Sequence, residues 1–264
     1  MSTRHCSNKR RKLSTRLIRK GALIEETYAA FQHWELGQAI KDNLHRIQET
    51  NAVGAKNARW LREIVATLSS RFTDEESLRP LVILALGNFP LDKWRLCLLW
   101  QIGTVDELYY RFATEWLYQE HRAGTYSIRT EDVIPFVRMM TDGRIASGKK
   151  LSEYGATRAA RDLLLMAADF GLLQGTQTRH FTSYHLPEES FLYFLHIMAE
   201  QEPNANRLVH SPDWRMFLMS PEDVERELFR LHQYRKLQYD VAGSLAQLTL
   251  PCRSPIEYAR ELVA

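Results

Sequence analysis

From Glu25 to Tyr126 the apolar residues recur at the spacing of one helix face, and no stretch alternates as a half-buried strand does. Tyr28, Phe31 and Ala39 continue one such face, and Trp60, Ile64, Val65 and Leu68 make another. Thr73 with Glu76 and Thr104 with Glu107 read as capping boxes, in which a hydroxyl and a carboxylate each satisfy a free amide at a helix start. Gly87 and Pro90 separate two apolar segments, Leu81 to Leu86 and Trp94 to Ile102. The expectation is a compact helical domain over residues 25–126. With 45% hydrophobic residues in 264, the chain has ample material for a core.

The character changes after Tyr126. Thr130 can cap a helix through Val133, Phe136, Val137 and Met140, and a polar, basic loop follows from Asp142 to Lys150. A second helix is expected from about Ala156 to Phe170, with Ala156, Ala160, Leu163, Leu164 and Ala167 on its apolar side. Gly171 stops it, because glycine readily takes the left-handed conformation that closes a helix. Two short strand-like runs then flank Gly175 to Arg179. Helix, loop, helix, glycine and a basic-tipped hairpin is the order of a winged helix-turn-helix, placed at residues 127–187. Residues 188–264 return to helix: Phe191 to Met198, a segment from Pro221 through Leu231, and Pro255 to Val263. Val241 to Leu250 is ambiguous, broken by Gly243. The fold expected is mainly α, with a helical N-terminal domain, a winged module bearing a small β-hairpin, and a helical C-terminal part.

Charge is distributed unevenly. The net formal charge is only +3, yet every charged residue before Glu25 is basic. Residues 1–24 therefore read as a basic, flexible arm on a near-neutral body, with Lys9, Arg10, Arg11 and Lys12 as its densest run. A solvated tail is the alternative. A winged module puts its second helix in the major groove, where arginine donates bidentately to guanine. Arg158 and Arg161 would lie on that helix, Lys149 and Lys150 before it with Arg144 further back in the loop, and Arg179 at the wing. These are the candidate nucleic-acid contacts. Two arginines on a helix surface are equally what a solvated face looks like, and winged modules also dock proteins.

Signs of catalysis are sparse. No two of the nine histidines form an i, i+4 helical pair next to a glutamate, as zinc hydrolases require. His180 and His185 would point to opposite faces of a strand. The stretch from Gly143 to Lys150 lacks the full phosphate-loop pattern, and no Gly-x-Ser-x-Gly occurs. Paired carboxylates such as Glu75/Glu76 and Glu222/Asp223 sit at expected helix starts, where the dipole accounts for them. The reading is a non-enzyme with no cofactor, no metal and no small-molecule substrate. Cys6, Cys97 and Cys252 offer no disulfide framework, and the longest apolar run is too short to span a bilayer, so a cytoplasmic protein is expected.

Lys20-Gly21-Ala22-Leu23-Ile24-Glu25-Glu26-Thr27, Arg71-Phe72, Phe112 with Trp116, and Thr157-Arg158 leading into Asp169-Phe170-Gly171-Leu172-Leu173 occur in an order that resembles the BrxA family of bacteriophage-exclusion (BREX) systems. The resemblance runs from about Lys20 to Tyr193. It implies a largely helical accessory protein of phage defence that binds duplex DNA without catalysis, alongside other BREX components. An RNA-binding helical protein of a transcription complex and a protein-docking adaptor are the competing readings.

Overall fold

The computed structural model describes residues 13–142, 150–243 and 245–264. Its helices are α1 (Thr15–Ile18), α2 (Ile24–Gln32), α3 (Ile40–Thr50), α4 (Ala58–Arg71), α5 (Glu75–Leu86), α6 (Leu91–Val105) and α7 (Glu107–Arg111). A π-helical stretch, Phe112–Leu117, joins α7 to α8 (Tyr118–Arg122). After α9 (Thr130–Thr141) and α10 (Glu153–Asp169) comes an antiparallel hairpin, β1 (Leu173–Gly175) and β2 (Arg179–Phe181). The remainder is α11 (Glu188–Gln201), α12 (Ala205–Val209), a 3-10 turn (Pro212–Phe217), α13 (Pro221–Gln233), the hairpin β3 (Gln238–Ala242) and β4 (Leu245–Thr249), and α14 (Pro255–Leu262). The fold is mainly α, as its periodicity requires.

Helix α6 is the hub. Leu96 through Gly103 are all buried, so it is apolar on every side and must be surrounded, as such helices are. Helices α2, α5, α7 and α11 pack around it. Stacked rings carry this packing onward: Trp100 on Phe194 at 5.7 Å, Phe194 on Phe217 at 4.3 Å, and Phe191 on Trp214 at 4.8 Å. A single cluster of buried side chains runs from Ile18 to Ala259.

The beginning of the described chain corrects the expectation of an arm that stays flexible up to residue 24. Leu17, Ile18, Ala22 and Leu23 are buried, with α1 packed against α4 and α10. The cause is Arg71, the last residue of α4 and only 2% exposed. Its Nη1 donates to the Ala22 carbonyl at 2.8 Å; its Nη2 donates to those of Leu17 at 2.8 Å and Gly21 at 2.5 Å. From the opposite side, the Ala22 amide donates to Asp169 Oδ2 at 3.2 Å. Gly21 has φ +70° and faces that carboxylate closely enough that a Cβ would meet Oδ2 at 3.3 Å.

Local capping differs in places from the sequence expectation. Thr104 lies inside α6 and bonds back to Gln101 O; the cap of α7 is Asp106, whose Oδ1 accepts from the Tyr109 amide at 3.0 Å. Asp74, not Thr73, precedes α5, and Arg129 rather than Thr130 is the residue before α9. The ambiguous stretch around Gly243 is the β3–β4 hairpin, its turn using Gly243 at φ +62°. Only Tyr239 of these strands is buried, which is why no clean alternation marks them.

The buried charges generate two predictions. Arg71→Met removes a cation that holds three carbonyls at once, so stability should fall by about 3–5 kcal/mol. Arg71→Lys should recover little of it, because an ammonium lacks the planar fork. Urea unfolding measures both, and a loss below about 1 kcal/mol would show that α1 docks without this tie. Asp106 is 2% exposed, and burial lifts its carboxyl to about 7, against the opposing pull of the Tyr109 amide and Arg71. The folded state therefore holds a proton that the unfolded chain releases near its ordinary value of 3.8. This contribution is complete below that value and lost as pH rises to about 7. In Asp106→Asn the amide keeps the cap but cannot ionise. The stability of the parent relative to this variant should decline from about pH 4 to pH 7 and then level; parallel curves would refute the assignment.

Candidate nucleic-acid interface

Helices α9 and α10 with the β1–β2 hairpin form the unit that the sequence places at residues 127–187. Helix α10 begins one turn before the expected Ala156: Ser152 Oγ accepts from the Gly155 amide at 3.1 Å and fixes the start at Glu153. Ala156, Ala159, Ala160, Leu163, Leu164, Met166 and Ala167 face the core. Tyr154, Arg158, Arg161 and Leu165 fall on the opposite stripe at i, i+4, i+7 and i+11. Gly171 closes the helix at φ +77°, and Thr182 Oγ1 donates to its carbonyl at 2.6 Å, joining the hairpin to the helix end. Ile128, ahead of α9, pairs antiparallel with Arg179, so the hairpin gains a third short edge.

The sequence-predicted contacts fare differently. Lys9, Arg10, Arg11, Lys12, Arg144 and Lys149 lie outside the described residues. Lys150 is exposed and sits 4.0 Å from Asp142 Oδ2. Arg158 and Arg161 do share the outer face of α10. Arg158 Nε lies 3.9 Å from Asp162 Oδ2, whereas Arg161 makes no ion pair among the described residues. Asp162 is lifted above the usual carboxylate range by burial, with Arg158, Arg19 and Arg161 pulling it down. Arg19 is the neighbour that sequence reasoning missed. It belongs to the end of α1, and the burial of Leu17 and Ile18 brings it alongside α10.

Arg179 requires a correction. It is not at the tip of the wing: it starts β2, its Cα lies opposite Gly175, and it is only 6% exposed. The turn residues are Thr176 to Thr178, and the side chain of Arg179 turns inward because its backbone pairs on both sides, with β1 and with Ile128. Among the described residues no group of three His, Cys, Asp or Glu side chains is placed to hold a metal ion, and no helix is long and apolar enough to cross a membrane. His180 Nδ1 lies 2.8 Å from the Tyr126 carbonyl.

A helical chain that presents one arginine-bearing helix next to a short hairpin is the class this geometry defines. The BrxA family model matches residues 11–198, and the chain belongs to the BrxA family of BREX phage-defence systems. No curated protein matches it. Among solved structures it is similar to a magnesium-bound SspB, at 13% identity and a TM-score of 0.56, over 95% of this chain and 86% of that one. At that identity the likeness is one of fold alone.

The family motifs meet in space. Gly21-Ala22, Arg71 and Asp169 are the three parts of one hydrogen-bonded tie, and Phe112 stacks on Trp116 at 5.5 Å behind α9. They build the back of the interface, not its surface. Gly171 illustrates the constraint: a Cβ there would lie 2.9 Å from Arg95 Nη2, and the left-handed φ is unfavourable for any other residue. Gly171→Ala should lower stability by more than about 1 kcal/mol, chiefly through the backbone. A thermal melt tests this; an unchanged midpoint would mean that the α10–β1 corner relaxes freely.

Proposed function

We propose that this protein is a non-enzymatic, duplex-DNA-binding accessory component of a BREX system, and that residues 128–181 act as a winged helix-turn-helix with α10 as its recognition helix. The observation that carries the reading is the division of α10. One side is anchored by fully buried Ala156, Ala160, Leu164 and Ala167, and the other offers Arg158 and Arg161 to solvent. A helix held firmly from behind is what base-edge or phosphate contacts need, because donors must be fixed before they meet their acceptors. The pairing of Ile128 with Arg179 supports the winged assignment, since it ties the hairpin to the strand-like segment preceding the first helix.

The net charge of the face is small, with Asp142 and Asp162 beside two of its cations. Binding on these terms is carried by a few phosphate contacts and shows weak sequence preference. Other BREX components are the natural partners of a family member. A protein-docking role has one observation in its favour: the second hairpin and the helix before it expose Phe229, Tyr234, Val241 and Leu245, the last at 75%.

Replacing Arg158 and Arg161 together with alanine should alter stability by no more than about 0.5 kcal/mol, since both are at the surface. Duplex affinity at fixed salt should drop, and the slope of log affinity against log salt should flatten by about 0.9 for each phosphate left without its cation. Melting followed by a fluorescence titration separates the two effects. A well-folded double variant with unaltered affinity would remove α10 from the DNA site and leave the docking reading.

A further inference from the structure

Arg179 is nine-tenths buried, and its Nε finds no hydrogen-bond acceptor. An arginine withdrawn from water without an acceptor is unusual, because a guanidinium has five donors to satisfy. The residue opposite it across the hairpin is Gly175, held at φ +101° with the Thr178 carbonyl packed where a side chain would begin. No side chain from β1 therefore fills the space at this position. Burial lowers the pKa of Arg179, and the nearby positive charge of Arg161 lowers it further, against the opposing pull of Asp169. Arg161 itself is on the outer stripe of α10, without an ion-pair partner among the described residues.

We propose that Arg161 and Arg179 form a seat for one phosphoryl group, with the buried guanidinium as its floor and the exposed one as its rim. Two like charges set this close repel each other until an anion lies between them. A tetrahedral oxyanion offers several acceptors at once, matching the forked donors of two guanidiniums. The seat rests on the DNA-binding reading only for the source of that phosphate, a backbone phosphodiester at the junction of recognition helix and wing. Free phosphate shares the same chemistry and should enter the same place. Arg158, already beside Asp162, contributes to the general field and not to the seat.

The test uses the full chain and the variants Arg179→Met and Arg161→Gln. Each is melted in inorganic phosphate and in chloride at matched ionic strength, then titrated with a duplex at several salt concentrations. The parent should melt higher in phosphate, and both variants should lose most of that rise. Arg179→Met should melt in chloride at or above the parent, because it removes a buried charge without a full set of partners. Its duplex affinity should fall severalfold, with a salt slope flatter by about 0.9. An Arg179→Met protein that melts lower yet keeps the phosphate response would make Arg179 a structural cation and end the proposal. Should that variant not fold, the exposed Arg161→Gln carries the test alone, and an undiminished phosphate response in it is equally fatal. A phosphate response lost in both variants, in a protein that binds no duplex, would uphold the seat and sink the DNA reading. Duplex binding equal in all three proteins, without any phosphate response, would do the reverse.

Discussion

Three backbone carbonyls at the head of the chain have no helical partner, and the guanidinium of Arg71 takes all three. Most of the architecture around the interface depends on that arrangement. Residues 19–23 reverse direction through Gly21 and Leu23, both at positive φ, and leave the Leu17, Gly21 and Ala22 carbonyls pointing inward. Unmet, each would carry the desolvation penalty of a buried acceptor. Arg71 satisfies them, and Asp169 accepts from the Ala22 amide on the other side, so the α1–α2 link is clamped between the end of α4 and the end of α10. Arginine alone has donors in a planar fork suited to this; lysine would concentrate its charge at one point.

Such a tie is an expensive way to hold helices together. Burial drives the Arg71 pKa down to about 10 and the Asp106 carboxyl up to about 7, so both charges resist their surroundings. Asp169 is raised by the same cause. An apolar contact of equal volume would often be no less stable. What the polar tie adds is direction. Hydrogen bonds to three named carbonyls permit one register of α1 against α10, whereas leucines sliding on alanines permit several. That register puts Arg19 beside Asp162 and leaves Arg161 facing outward. The buried charges thus set the pattern of the exposed ones.

The parts legible in the sequence are those where one physical signal acts alone. The apolar stripe of α10, the stop at Gly171 and the first turn at Pro221 follow from periodicity, left-handed glycine and a fixed proline φ, and each lies within a few residues of its expected place. The illegible parts arise where tertiary contacts decide. Arg71 reads as an ordinary basic residue at a helix end, and nothing nearby announces the carbonyls that arrive from 50 residues away. Arg179 reads as a wing-tip residue because strands of three residues are too short for alternation to show which side chains turn inward. Within residues 1–24 the basic residues mask the apolar Leu17 and Ile18, whose burial docks the last part of that segment. In β3 and β4 a single buried tyrosine is too little to set a period.

The two hairpins make a related point about how far local order carries function. Residues 205–249 repeat the succession seen at 130–181, two helical segments followed by an antiparallel pair of strands. The surfaces they offer have little in common. Helix α10 shows Arg158 and Arg161, while α13 starts with Glu222 and Asp223, pairs Arg226 with Asp223 and Arg230 with Glu227, and exposes Phe229 between them. Cations already matched within their own helix draw phosphate weakly, since each must first give up its carboxylate. Arg161 has no such partner to give up among the described residues. The same succession of elements therefore supports an anion-facing surface in one place and a neutralised, partly apolar one in the other, and the difference lies in which side chains stand on the outer stripe.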